Sequence, residues 1–110
     1  MVRNLKRTNV VLHQEIADVV NKLVEFSDGL LSITYVNLGG DYQEMKVGVS
    51  VLPINLRGTA LKKLRKESAE IAKLLTKRCQ LPRMPKIIWL IDNSAEQADH
   101  LNRLIDRLSI

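Results

Sequence analysis

The spacing between apolar residues changes repeatedly along this chain, and these changes constrain its fold more than any other sequence feature. Over residues 9–26 apolar side chains recur every three or four positions, which predicts an amphipathic helix. Residues 31–38 are rich in β-branched and aromatic types, and residues 44–52 alternate apolar with polar or small types. These two segments predict a pair of antiparallel strands joined by a bulge or wide loop near Gly40, with Gly29 stopping the helix in a left-handed conformation.

The second half of the chain repeats this change of spacing. A helical pattern follows Thr59, the expected N-cap, and continues to Cys79, after which Pro82 and Pro85 end it. Residues 86–91 are almost continuously apolar, which predicts a central strand. Ser94 and the glutamine three residues later form a capping box for a last helix over residues 95–108. The predicted order is α-β-β-α-β-α, an α+β fold.

Length and composition limit the class of protein. The chain has 110 residues, of which 45% are hydrophobic and 26% are charged, as expected for one soluble domain spanning residues 1–110. We find no apolar run long enough to cross a membrane, and residues 1–10 lack the apolar core of a secretory signal. Cys79 is the single cysteine, which excludes an internal disulfide. We expect a cytoplasmic protein.

Positive charge is concentrated in residues 57–86, which carry net charge +8, whereas the rest of the chain carries −3. Such segregation creates a directional positive field that attracts a polyanion, above all RNA. Two alternatives stay open: a solvated helix face, and a module that binds an acidic protein partner or a membrane surface. The basic residues of the segment are Arg57, Lys62, Lys63, Arg65, Lys66, Lys73, Lys77, Arg78, Arg83 and Lys86.

We find no catalytic or metal-binding pattern. His13 and His100 each lie in a predicted helix without a second histidine or cysteine at ligand spacing, so both are expected to be structural. Asp92 precedes a helix start, where a carboxylate caps backbone donors. Cys79 is expected to be a packing residue. The sequence therefore predicts no enzyme, no cofactor, no metal and no small-molecule substrate.

Three motifs in order resemble the ribosome-binding factor A family. Residues 33–42 and 45–52 are similar to its Ile-Thr-x-Val-x-Val-Ser-x-Asp-Leu and Ala-Lys-Val-Tyr-Val-Ser-Val segments, with Asp41, Lys46, Val47 and Val49 matching. Residues 81–94 resemble its Leu-Arg-x-x-Pro-x-Leu-x-Phe segment with Asp and Ser after the strand. Residues 7–19 follow its opening Arg-Val-x-x-x-Ile-x-x-x-Ile more loosely.

The resemblance implies a type II KH-like domain, α-β-β-α-(kink)-α-β, with a three-stranded sheet and a C-terminal helix. The family's Ala-x-Gly kink element falls on Glu67, Ser68 and Ala69. The chain has no glycine there, and Glu67 and Glu70 stand where backbone phosphates would be expected. The expected RNA contacts therefore shift to the flanking basic residues of segment 57–86.

The resemblance also implies a partner: the small (30S) ribosomal subunit and its 16S rRNA, during late maturation and rRNA processing. Off the ribosome we expect a monomer. A basic arm over residues 1–8 would add Arg3, Lys6 and Arg7 to the RNA contacts. With four aromatic residues in the chain, we expect phosphate contacts and shape recognition, without base stacking. Neutralising Lys73, Lys77 and Arg78 together should strongly weaken subunit binding while leaving the fold intact.

Overall fold

A computed structural model describes the backbone of residues 5–94 and the side chains of residues 8–94. Within these residues two helices and three strands form a mixed α+β fold, the class that the sequence predicts. The elements are α1 (Leu5–Leu23), β1 (Leu30–Leu38), β2 (Glu44–Leu52), a 3-10 turn (Ile54–Leu56), α2 (Arg57–Cys79) and β3 (Lys86–Ile91). The predicted C-terminal helix, residues 95–108, lies outside the described residues. The predicted N-terminal arm, residues 1–8, overlaps α1 from Leu5 onward.

β2 is the central strand of the sheet. It pairs antiparallel with β1 and parallel with β3, in the order β1-β2-β3. The prediction that residues 86–91 form the central strand is therefore wrong. The apolar run of β3 has another cause: Ile87 and Trp89 are buried against the helices, while Ile88 and Leu90 lie on the outer face of the sheet.

The core lies between the sheet and the two helices, which pack on the same face. Because the apolar stripes of α1 and α2 face the inward residues of β2, one continuous cluster forms. Truncating a leucine at its centre to alanine should cost about 2–5 kcal/mol. The largest fully buried side chains are Leu12, Ile16, Val19, Met45, Val47, Val49, Val51, Leu64, Ile71 and Leu75.

Two predicted helix signals differ from the structure. Thr59 is not the N-cap of α2, which begins at Arg57 without a side-chain cap because the preceding 3-10 turn already winds the backbone. Gly29 is not left-handed, since no glycine in residues 5–94 has a positive φ. It permits a close approach instead: a Cβ there would lie 2.2 Å from the Leu52 carbonyl oxygen. The left-handed residue that ends α2 is Gln80, with φ of 52°.

The outer edge of β1 is closed by side chains of α1. The N–H of Leu38 donates to Asn9 Oδ1 at 3.0 Å, and His13 Nε2 donates to the Ile33 carbonyl at 2.8 Å. The pairing register shifts between Ile33 and Tyr35, which makes a bulge. The wide loop predicted near Gly40 is also present, over residues 39–43. This edge is therefore blocked against further strand pairing.

Candidate nucleic-acid interface

Four lysines of α2 form a stripe that faces solvent. They follow one another at steps of four, seven and four residues, so a helix that turns about 100° per residue places them within about 60° of one another. All four are exposed, and the opposite side of α2 carries its buried residues. We call this stripe the lysine ridge: Lys62, Lys66, Lys73 and Lys77. It extends along about 22 Å of the helix.

The acidic residues of α2 lie beside the ridge. Glu67 is half-buried and borders a depression formed with Lys63 and the end of α1. Glu70 is exposed at the margin of the ridge, four residues after Lys66 and three before Lys73. It lowers the positive potential most at the middle of the ridge, beside Lys66 and Lys73.

The helix is continuous through the segment where the sequence places the kink element. Every residue from Arg57 to Cys79 is α-helical, including Glu67, Ser68 and Ala69. Ser68 Oγ accepts a hydrogen bond from Trp89 Nε1 at 3.2 Å, which ties α2 to β3. Without a glycine, the backbone has no reason to leave the helical conformation there.

Two predicted RNA-binding residues, Arg78 and Lys63, contact α1 or the segment that follows it. Arg78 pairs with Asp18 at 2.7 Å and Glu15 at 3.3 Å on α1, and its hydrogen bond to Asp18 raises the pKa of Arg78 and lowers that of Asp18. Lys63 Nζ donates to the Glu25 carbonyl at 2.8 Å and lies 5.7 Å from the Phe26 ring centroid. Both cations therefore face α1 or the segment that follows it.

Arg57 is half-buried in the first turn of α2. Lys6 and Arg7 lie in the first turns of α1, but their side chains, and all of Arg3, are outside the described part of the structure. The structure therefore does not bring Arg3, Lys6 or Arg7 into a described site.

The remaining basic residues, Arg65, Arg83 and Lys86, lie at or near a second feature. A groove of about 640 Å³ runs between α2 and β3, with Arg65 and Lys86 in its lining and Arg83 exposed in the turn just before β3. We call it the α2/β3 groove; it is lined by Arg65, Ser68, Ala69, Ala72, Met84, Pro85, Lys86, Ile87, Ile88 and Trp89. None of these residues is acidic.

Sequence reasoning did not single out Met84, which the structure leaves 57% exposed beside the groove. A large apolar residue between Pro82 and Pro85 is a weak signal of this arrangement, because prolines hold a short segment extended and away from the core. This pattern indicates a groove beside Met84 only when β3 is known to be an edge strand.

The polar residues considered for chemistry have structural partners. Asp92 accepts hydrogen bonds from the backbone N–H and hydroxyl of Ser94, which lower its pKa. Burial, and then Glu15, raises the pKa of the half-buried Cys79 thiol, which opposes nucleophilic reactivity. Within residues 5–94 no three His, Cys, Asp or Glu side chains are grouped as metal ligands. No helix in that range is both long and apolar enough to cross a bilayer.

Comparison with solved structures shows the fold. The crystal structure of ribosome-binding factor A from Thermus thermophilus superposes with a TM-score of 0.73 at 21% identity, over 81% of this chain and 97% of that one. A T. thermophilus ribosome binding factor A homology model, fitted into a cryo-EM map of a 30S complex, gives a TM-score of 0.66 at 22% identity, over 77% and 91% of the two chains. The KH-like fold expected from the sequence is confirmed.

Comparison of sequences gives the family. A ribosome-binding factor A of Natranaerobius thermophilus is 33% identical over 101 residues, which are 90% of this chain and 77% of the relative. The family model described as ribosome-binding factor A matches residues 4–105, which include both helices, all three strands and the lysine ridge. The chain therefore belongs to the ribosome-binding factor A family.

Proposed function

We propose that this protein binds the small (30S) ribosomal subunit through 16S rRNA and assists late maturation and processing of that RNA. The observation that carries the proposal is the lysine ridge on α2, in a chain of the ribosome-binding factor A family. A relative with this fold is fitted into a map of a 30S complex, which supports the choice of partner. The protein would act as a cytoplasmic monomer, without catalysis and without a cofactor.

The ridge suits the backbone of folded RNA. Each lysine ammonium is a mobile point charge that attracts phosphate oxygens without selecting a base. The side chains between the lysines on this side of the helix are small or polar, such as Ala69 and Glu70, so the ridge has no surface on which bases could stack. Recognition would therefore depend on the shape of the rRNA and on salt concentration.

Of the residues expected to bind RNA, the ridge lysines and Arg83 are the ones we assign to rRNA most directly. Arg78 and Lys63 are engaged with α1 and its following segment, so we propose that they position α2 instead of contacting phosphate. This changes the expected effect of the triple neutralisation: its loss of binding should come from Lys73 and Lys77, and its loss of stability from Arg78.

The test is co-sedimentation of the full chain with purified small subunits across a salt series. Lys66→Gln together with Lys73→Gln should weaken binding and reduce the slope of log affinity against log salt by about 2, since each lost phosphate contact removes about 1. Lys46→Gln is the matched control, because Lys46 is exposed on the outer face of the sheet, away from α2. Unchanged affinity and slope for the ridge variant would remove the ridge from the interface.

The same experiment tests the other candidate, a basic module for an acidic protein or a membrane surface. The ridge lacks the bulky apolar residues that interfacial helices insert among lipid headgroups. Subunits carrying unprocessed rRNA should therefore bind the chain, and vesicles of anionic lipid should not. Binding to vesicles that survives at salt concentrations where subunit binding is lost would favour the membrane alternative.

A further inference from the structure

The second edge of the sheet, formed by β3, is open along the part of the chain that the structure describes. The N–H groups of Lys86 and Asp92, at the two ends of this segment, each donate at 2.8 Å to a carbonyl in or next to β2. Backbone groups alternate in direction along a strand, so the intervening odd-numbered residues face the other way. The N–H and C=O groups of Ile87, Trp89 and Ile91 therefore point outward from the sheet.

The two edges of the sheet differ in how far they are protected against pairing with another strand. Asn9 and His13 of α1 occupy backbone groups along β1, and the bulge at Thr34 interrupts that edge further. Native proteins block edges in these ways because free backbone groups pair readily with another strand. Among residues 5–94, no side chain performs this role along the edge of β3, whose one charged residue is Lys86 at its start.

The open edge runs beside the α2/β3 groove. Small residues of α2, namely Ser68, Ala69 and Ala72, form one wall, and the exposed Met84 lies at one end. A groove between a helix and an edge strand is the geometry in which proteins bind extended peptides by strand addition. Main-chain hydrogen bonds then supply affinity, and alternate side chains of the peptide enter the groove.

The charge of the groove selects among possible occupants. Arg65 and Lys86 line it and no carboxylate does, so it complements an acidic peptide. RNA could not bind here by base stacking, because Trp89 is 6% exposed and its indole N–H donates to Ser68, so no aromatic face is free for a base; what favours a peptide is the open backbone edge of β3. A second copy of the chain would bring another segment of net charge +8 against the first.

We propose that the α2/β3 groove binds an extended segment of a partner protein, in which acidic residues accompany aliphatic ones, and that this segment pairs with the free edge of β3. The site is separate from the lysine ridge and goes beyond the proposed rRNA binding. On the helix side of the sheet, aliphatic side chains of the partner would enter the groove beside Met84 and a carboxylate among them would meet Arg65, whereas carboxylates on the outer face would meet Lys86. The protein would thereby hold a protein and an RNA at the same time.

Amide hydrogen exchange on the free full chain is the first test. The N–H groups of Ile87, Trp89 and Ile91 should exchange much faster than those of Ile88 and Leu90, which face β2. Slow exchange at all five would mean that the edge is already paired within the chain, and would overturn the proposal.

The binding test uses a synthetic peptide of sequence Asp-Ile-Glu-Glu-Asp-Ile-Glu, blocked at both ends, whose alternate residues place two isoleucines and a glutamate on one face and carboxylates on the other. Its addition should slow exchange at Ile87, Trp89 and Ile91. Two N-methylated versions, each methylated at alternate residues, provide an internal control, because only one set of peptide N–H groups faces β3. One version should bind at least about tenfold more weakly than the other, since it loses the backbone hydrogen bonds. Equal affinity of the two versions would exclude strand addition.

Charge reversal on the protein separates this site from the ridge. Arg65→Glu with Lys86→Glu should weaken peptide binding by about tenfold or more, whereas Lys62→Glu with Lys66→Glu, the matched control, should change it less than about threefold. Small-subunit binding should respond mainly to Lys62→Glu with Lys66→Glu. Failure of the rRNA proposal can therefore be distinguished from failure of the peptide proposal. If oligouridine protects Ile87, Trp89 and Ile91 and the peptide does not, the groove belongs to RNA. If the free chain sediments as a dimer and dilution to monomer removes protection of these three amides, the groove belongs to a second copy.

Discussion

A glycine and a tyrosine that face each other across the sheet show how much a single residue can depend on its partner. Gly48 lies opposite Tyr35 in the pairing of β1 with β2, and a Cβ on Gly48 would lie 2.0 Å from the nearest ring atom. The ring therefore lies over the glycine, and Tyr35 is 38% exposed. Sequence alternation alone does not reveal this contact, because the bulge at Thr34 changes which residue of β1 faces Gly48.

We predict that Gly48→Ala lowers the free energy of unfolding by about 1–3 kcal/mol, because the tyrosine ring must leave its place to make room for the methyl group. Urea unfolding followed by circular dichroism measures the effect. Gly58→Ala is the matched control: Gly58 lies in the first turn of α2 with no atom within 4 Å of the Cβ position. That substitution should raise stability by about 0.5–1 kcal/mol.

A double-mutant cycle isolates the contact. In a Tyr35→Ala background, Gly48→Ala should lose its penalty, because no ring remains to be displaced. A penalty of the same size in both backgrounds would place its cause elsewhere in the sheet.

At the scale of helices and strands, the sequence predicts the type and order of the described elements correctly but not the arrangement of the strands, and α1 is Leu5–Leu23 instead of the predicted residues 9–26. α2 ends at Cys79 as predicted, since Pro82 and Pro85 follow closely and cannot continue a helix. β3 has the predicted bounds, but its place in the sheet depends on contacts between residues far apart in the chain. A continuous apolar run looks the same in a central strand and in an edge strand whose outer face carries Ile88 and Leu90.

The ion pair between α1 and α2 gives a prediction about pH. Arg78 lowers the pKa of Asp18 through their hydrogen bond, with Lys22 contributing next. A carboxylate whose pKa is lowered in the folded state stabilises the protein above its unfolded pKa, near 3.8, and this stabilisation is lost as the pH falls through the lowered value. Arg78→Gln should therefore reduce Tm modestly at pH 7, and the reduction should shrink as the pH falls below 3.8.

Thermal unfolding of both proteins over this pH range measures the effect. Lys77→Gln is the matched control, because Lys77 is the preceding residue, points away from α1 and belongs to the lysine ridge. The effect of Lys77→Gln on Tm should not shrink as the pH falls below 3.8. A penalty for Arg78→Gln that persists at low pH would assign the role of Arg78 to packing of its aliphatic stem.

For the whole molecule, the sequence locates the basic segment but not its division among surfaces. Charge counting over residues 57–86 cannot separate Lys77, on the lysine ridge, from Arg78, which pairs with α1. Lys77 and Arg78 are separated by which side of α2 contacts α1, and this is a tertiary contact that charge counting does not reveal. The open edge of β3 cannot be predicted either, because it depends on strand order. The C-terminal helix and the basic arm lie largely outside the described residues and stay predictions.

The concentration of like charge that serves binding should also reduce stability. Lys62 lies one turn before Lys66 on the lysine ridge, and like charges at this spacing repel. Lys62→Glu replaces this repulsion with an attraction in the favourable orientation, so the free energy of unfolding should rise by about 0.5–1 kcal/mol in low salt. The gain should diminish in high salt as the charges are screened. The same variant should bind small subunits more weakly.

Urea unfolding at two salt concentrations, together with co-sedimentation, tests both parts of this prediction. A variant that gains stability and loses binding would show that the lysine ridge is maintained for its ligand at the expense of the fold. A variant that loses stability even in low salt would show that the Lys62 stem contributes packing that outweighs the repulsion. Unchanged subunit binding would place the rRNA contact on the remaining ridge residues, nearer the C-terminal end of α2.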